Sequence, residues 1–179
     1  MKDKQSKGLV QIYTGDGKGK TSAAIGSAVR AAGYGLKVVV IQFLKHGRFE
    51  CGEEKALKKF KNVKFIRLKE TSPLFDYEFK YENLKKQVEK DLRAVINLIN
   101  SGKYDLVVLD ELTYLVRYKI IDEKVFVRAL KARPKKVEII ITGRNATPAI
   151  IKAADLVSEI KEIKHPLKQG INARKGFEY

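Results

Sequence analysis

The run TGDGKGKTS at residues 14–22 constrains this chain more than any other feature. It follows the apolar stretch LVQIY and opens the alanine-rich stretch TSAAIGSAVRAA. A strand, a glycine turn and a helix start therefore come in order, the context in which a GKT match means triphosphate binding. Glycines let backbone N–H groups curl around an anion, and a helix N-terminus adds partial positive charge. Lys20 is then expected to reach phosphate oxygens, and the Thr21 hydroxyl to ligate Mg2+ (or Mn2+). The usual spacing is GxxxxGK[ST]. Here Thr14 stands where the first glycine belongs, Gly15 comes one residue late, and Lys18 is an added cation. The expected nucleotide loop is Thr14, Gly15, Asp16, Gly17, Lys18, Gly19, Lys20, Thr21 and Ser22. Which phosphate it holds, and which bond breaks, stays open on these residues alone.

The remaining pattern is that of an α/β chain. Apolar runs at 38–44 (VVVIQFL), 63–68 (VKFIRL), 106–110 (LVVLD), 137–142 (VEIIIT) and 156–160 (LVSEI) read as strands. Between them, 80–100 carries Leu84, Val88, Leu92, Val95 and Ile99 at helical spacing, and 122–132 and 148–154 read as shorter helices. Strands alternating with helices predict a mostly parallel central sheet with helices on both faces. With 179 residues, the expectation is a single α/β domain over 1–179, with residues 1–7 flexible. Ligands in such folds bind beyond the carboxyl ends of strands. That rule selects the glycine loop, Phe43-Leu44-Lys45, Asp110-Glu111 and Thr142-Gly143-Arg144.

Composition narrows the function classes. There is no apolar run of transmembrane length. The start, MKDKQSKG, is too polar for a secretory signal. The single Cys51 excludes an internal disulfide, so a cytoplasmic protein is expected. The 37 basic and 21 acidic residues leave a net charge of +16, which raises the question of nucleic acid. The charges alternate in sign, however, as in KYENLKKQVEKDLR, where Glu82–Lys86 and Glu89–Arg93 stand four apart. They read as a solvated surface, and neither a nucleic-acid nor a membrane partner is expected.

Asp110 and Glu111 follow four apolar residues, the placement of a carboxylate that meets Mg2+ opposite Thr21. Both are metal candidates, and which one touches the ion stays open. Arg144 is a candidate for pairing with phosphate or with an acidic group of a second substrate. Arg30 has no more support than a surface residue. Segment 71–81, TSPLFDYEFKY, places Phe75, Tyr77, Phe79 and Tyr81 in alternation. It reads either as a loop with core-plugging aromatics or as a wall for a large flat ligand. His46 and His165 have no ligand-like spacing, and no metal is assigned to them.

Taken together, TGDGKGKTSAA, RAAGYGLKVVVIQFLK, LVVLDELTYLV, the IIITGR turn and the KHP…KGFEY tail resemble the P-loop type of ATP:corrinoid adenosyltransferases, also called cob(I)yrinic acid a,c-diamide adenosyltransferases. The resemblance covers roughly residues 8–179. It implies a RecA-like P-loop NTPase fold, a homodimer and a divalent cation. It also implies a reaction in which a Co(I) corrinoid attacks the 5′-carbon of ATP and releases triphosphate, in cobalamin biosynthesis or salvage. By position, Gly15 to Ser22 would bind the triphosphate, Thr21 and Glu111 would contact the metal, and Asp110 would be the strand-end partner. Lys20, Thr21 and Glu111 would then be the catalytic set, with Arg144 and the Lys164-His165-Pro166 stretch near nucleotide or corrinoid. The family suggests reduced flavodoxin or flavin as electron donor, and a nucleotide lying reversed in the loop. Two departures stand out. Only about seven residues precede the first strand where some members have a longer arm, and the central segment lacks Trp; Phe75 or Tyr77 is the candidate for displacing the lower ligand of the corrinoid. The competing readings are a nucleic-acid-dependent NTP hydrolase, a small-molecule kinase and a non-catalytic nucleotide sensor.

Overall fold

The computed structural model describes residues 7–45, 51–68 and 81–177. Residues 1–6, His46, and Phe75, Tyr77 and Phe79 of the aromatic segment lie outside them. Six strands, β1 (Val10–Thr14), β2 (Val38–Gln42), β3 (Val63–Arg67), β4 (Leu106–Asp110), β5 (Glu138–Thr142) and β6 (Leu156–Glu159), form one sheet in the order β3-β2-β4-β5-β1-β6. Every neighbouring pair is parallel. The helices are α1 (Lys20–Gly33), α2 (Gly52–Leu57), α3 (Tyr81–Asn100), α4 (Leu112–Arg117), α5 (Glu123–Ala132) and α6 (Pro148–Ala153).

Strand periodicity explains the two cores. Successive side chains on a strand point to opposite faces. Val38, Val40, Leu106, Val108 and Ile140 pack on one face against Ala24, Ala28 and Ala32 of α1 and Leu57 of α2. Val39, Ile41, Val107, Leu109, Ile139 and Ile141 pack on the other, against the apolar stripe of α3 and against Phe126 and Leu130 of α5. Burial on both faces is why β2 and β4 read as unbroken apolar runs rather than as alternating ones. The three buried alanines of α1, four residues apart, leave little side-chain volume between that helix and the sheet. They seat its first turn beside the strand ends. On α3, Leu84, Val88, Leu92, Val95 and Ile99 are buried, while Glu82, Lys86, Glu89 and Arg93 are exposed, in accord with a solvated charged face.

The expected strands and all four expected helices, α1, α3, α5 and α6, are present, with shifted ends. Strand pairing in β2 stops at Gln42, two residues before the apolar run does, and Leu44 turns the chain aside with φ 58°. Asp122 is the cap of α5 rather than its first residue; its Oδ1 accepts from the N–H groups of Lys124 and Val125 at 2.8 and 3.2 Å. Helices α2 and α4 were not foreseen. At six residues each they make fewer than two turns, too few for a period to show. No helix among the described residues is long and apolar enough to cross a membrane.

Phe126 is fully buried between α5 and the sheet. Truncating it to alanine is expected to cost about 3–5 kcal/mol of unfolding free energy, measured by urea titration.

Candidate active site

The glycine loop joins β1 to α1, and its glycines serve close approach as well as conformation. Gly15 and Gly19 have φ 100° and 121°, which side-chain-bearing residues rarely adopt. A Cβ on Gly17 would meet the carbonyl oxygens of Lys161 at 2.6 Å and Ile160 at 2.8 Å. The loop is therefore pressed onto the chain leaving β6. The Gly17 N–H donates to the Ile160 carbonyl at 2.8 Å, and the Ile160 N–H donates to the Thr14 carbonyl at 2.8 Å. Helix α1 then starts with no side-chain cap. Its first N–H groups are left for an anion, at the positive end of the helix dipole. Lys20 is buried, and its ammonium donates to the Gly17 carbonyl at 2.6 Å. Burial pulls its pKa below the usual lysine value and the charge of Arg144 adds to this, against the opposing pull of Glu111, Asp16 and Asp110.

The ends of β2, β4 and β5 and the first turn of α1 meet at Asp110, which is fully buried. Its Oδ1 accepts from the hydroxyls of Thr142 (2.6 Å) and Thr21 (2.8 Å). Its Oδ2 accepts from the Gln42 amide (3.1 Å) and the Lys45 ammonium (2.8 Å). Burial by itself would raise this carboxyl, but the Lys45 charge and the hydrogen bonds from Lys45, Thr142 and Thr21 outweigh it and hold the pKa below the usual value. Lys45 is displaced by the same forces in mirror image. Burial lowers it, and Asp110, Glu111 and Glu53 bring it above the usual lysine value.

Glu111 behaves differently. It is turned by a left-handed backbone (φ 63°, ψ 19°), and its N–H donates to the Thr142 hydroxyl at 3.0 Å. Its side chain lines the cleft. Burial and the neighbouring Asp110 charge push its carboxyl above the usual range, only partly offset by Lys45, Lys20 and Arg144. Beside it, the Thr113 hydroxyl donates to the Arg144 carbonyl at 2.8 Å. The Ala146 N–H donates to the Thr14 hydroxyl at 3.2 Å, tying the chain after β5 to the end of β1. Left-handed residues thus sit just past three strand ends, at Leu44, Glu111 and Asn145. Such backbone strain gathers where a site over-determines the chain.

These groups border one cleft of about 470 Å³. Residues 16–22, Glu111 and Arg144 all line it, as expected, whereas Thr14, Gly15 and Asp110 lie behind its wall. Arg30 borders a different cavity, toward the other end of α1. Of the Lys164-His165-Pro166 stretch, His165 alone lines the cleft. Lys45 and Thr142 were placed at strand ends by sequence but given no role, and Gln42 was not singled out. Phe177 was also missed. Its carbonyl accepts from Lys18 Nζ at 3.0 Å and its ring lies 4.8 Å from the Arg174 guanidinium, so the C-terminal stretch borders the glycine loop.

The donor set fits a hard cation. Thr21 commits its proton to Asp110 and turns its lone-pair side to the cleft, where the Lys45 ammonium meets it at 3.3 Å, and Glu111 offers a carboxylate that burial and Asp110 disfavour as an anion until a cation joins it. Among the described residues no group of three His, Cys, Asp or Glu is arranged for a metal. Phosphate oxygens and water would complete the shell, as is usual for Mg2+.

The family described as ATP:corrinoid adenosyltransferase BtuR/CobO/CobP matches residues 6–179. The chain belongs to that family. It is 37% identical to the corrinoid adenosyltransferase CobA of Salmonella typhimurium, over 98% of this chain and 87% of the relative. It is 38% identical to the corrinoid adenosyltransferase of Escherichia coli K12, over 97% and 86%. A corrinoid adenosyltransferase of Pseudomonas aeruginosa is 32% identical over 98% and 86%. The chain is accordingly an ATP:corrinoid adenosyltransferase.

The depressed Asp110 pKa fixes a pH dependence. In the interval between the folded pKa and the unfolded value of about 3.9, the unfolded chain binds more protons, so stability falls as pH falls. Asp110→Asn is expected to be less stable than the parent at pH 7. The gap should close on acidification below the ordinary aspartate range, as followed by urea unfolding across pH.

Proposed function

We propose that the chain is a single P-loop domain over residues 1–179, with a RecA-like arrangement, that transfers the adenosyl group of ATP to a Co(I) corrinoid at this cleft. The all-parallel sheet supports the fold assignment, as does β5 standing between the loop-bearing β1 and the carboxylate-bearing β4. The observation that carries the functional reading is the convergence of the glycine loop, the uncapped start of α1, Lys20, Glu111 and Arg144 on one cleft, in a chain of this family.

The electron pair of cobalt forms the bond to the 5′-carbon, the carbon–oxygen bond breaks, and triphosphate leaves with the two electrons of that carbon–oxygen bond. Cobalt passes formally from Co(I) to Co(III), and no proton is required. Because the substrate is itself the nucleophile, the protein need only align two reactants and stabilise the leaving group. Alignment alone is worth several kcal/mol. Of the expected residues 15–22, those at 18–22 hold the triphosphate through backbone N–H groups, since the Gly17 N–H is spent on the Ile160 carbonyl, with Lys20 and Arg144 as cations at its oxygens. Thr21 and Glu111 would hold Mg2+ (or Mn2+), and Asp110 orients Thr21 from behind. When bound, the ion withdraws charge from the leaving triphosphate. Burial keeps Lys20 poorly hydrated, which favours its pairing with phosphate.

The reading extends to a cytoplasmic homodimer whose corrinoid substrate receives its electrons from reduced flavodoxin or flavin, as the resemblance implies. Leu156 and Val157 on the sheet edge, each 40% exposed, are surface that a second copy would cover. The surplus of +16 suits a corrinoid bearing free carboxylates.

Anaerobic incubation with Mg-ATP and chemically reduced Co(I) corrinoid is expected to yield a light-sensitive Co–C product and triphosphate in equal amounts. Lys20→Ala is expected to lower kcat/KM by about 100-fold or more while leaving the fold intact by circular dichroism. ADP or phosphate in place of triphosphate would overturn the reading.

A further inference from the structure

Lys45 lines the cleft, and the proposed reaction gives it no role. Its Nζ lies 2.8 Å from Asp110 Oδ2 and 3.3 Å from Thr21 Oγ1. The Thr21 proton is already committed to Asp110 Oδ1 at 2.8 Å, so the ammonium meets the lone-pair side of that hydroxyl. A divalent cation held by Thr21 needs that same side. The left-handed turn at Leu44 (φ 58°) takes the chain off the end of β2 just before Lys45. The lysine side chain is 36% exposed and Asp110 is not exposed at all. The lysine therefore has room to withdraw into the cleft on its flexible four-carbon stem, while the carboxylate has none.

We propose that Lys45 is an internal cation standing in the metal's place beside Thr21, so that the site accepts its divalent ion together with the triphosphate and not before it. The inference rests on the metal–nucleotide reading above and adds an order to it. A buried carboxylate without a partner is costly, and Lys45 supplies that partner while the cleft holds no nucleotide. Two cations competing for one hydroxyl repel each other strongly at this range in a partly buried site. A metal ion arriving alone has to displace the ammonium with nothing to receive it. A metal ion arriving on triphosphate brings several negative oxygens, and the ammonium moves from Thr21 onto one of them. Lys45 is thus a positioning residue: it acts through Thr21 and Asp110.

Free Mn2+ gives a six-line electron paramagnetic resonance signal that is lost on binding, so Mn2+ is the probe. The full chain, Lys45→Met and Lys45→Arg are titrated with and without ATP, in the absence of corrinoid. The parent and Lys45→Arg are expected to bind Mn2+ tightly only with ATP. Lys45→Met is expected to bind Mn2+ alone about tenfold or more tighter than the parent, and Mn2+ alone should raise its melting temperature. Equal affinities for Mn2+ alone in the parent and Lys45→Met would overturn the proposal, as would tight binding of Mn2+ alone by the parent. If Lys45→Met does not fold, Lys45→Gln takes its place. Recovery of either variant by Mn2+ supports the proposal, and failure of both with and without Mn2+ reduces Lys45 to a structural role. A parent that binds no Mn2+ even with ATP would remove the metal–nucleotide reading itself, a result separate from the comparison made without nucleotide.

Discussion

A carboxylate without solvent contact has to be neutralised and hydrogen-bonded from every side, and at Asp110 on β4 that requirement draws in α1, β5, and β2 with the chain beyond it. Thr21 comes from the first turn of α1, Gln42 from the end of β2, Thr142 from the end of β5 and Lys45 from the chain beyond β2. None of these partners is near Asp110 in sequence. The geometry of the cleft floor is therefore fixed by one buried charge rather than by the loops that surround it. The same charge sets the behaviour of its neighbour. Asp110 is satisfied and stays ionised, and by doing so it makes Glu111 a reluctant anion that faces the cleft. Two adjacent carboxylates thus have opposite tendencies: one is a fixed support, and the other has an electrostatic reason to receive a cation.

The sheet makes this arrangement precise. Burial on both faces holds β2 and β4 in register, pairing Gln42 with Asp110 across the ladder. On the neighbouring pair, Leu109 pairs with Ile141, which brings Thr142 to the same level. Alanines on α1 bring the helix start down to that level without bulky side chains intervening. Positions of the donors around Asp110 follow from backbone pairing, which is stiffer than any loop.

Much of this was legible in the sequence, for identifiable reasons. Glycine spacing between an apolar run and an alanine-rich run marks the loop, and a carboxylate pair after four apolar residues marks the end of β4. Both signals are local. The choice between Asp110 and Glu111 was not legible, because it depends on how many donors reach each oxygen, and those donors lie on other strands. Lys45 escaped a role because its placement depends on a left-handed turn at Leu44, a residue type that gives no warning of one. Helices α2 and α4 are too short for periodicity. Phe177 meets the loop only through tertiary folding of a stretch rich in charge and poor in pattern.

The glycine loop sits near the beginning of the chain, yet its floor is the backbone leaving β6, and Lys18 reaches across 159 positions to the carbonyl of Phe177. A ribosome makes the loop well before it makes the backbone that forms its floor. The emerging chain carries the glycine loop with nothing beneath it until β6 has been made and has docked beside β1. The loop therefore gains its support only once β6 is in place, and a premature stop upstream of β6 leaves the loop sequence whole but without its floor.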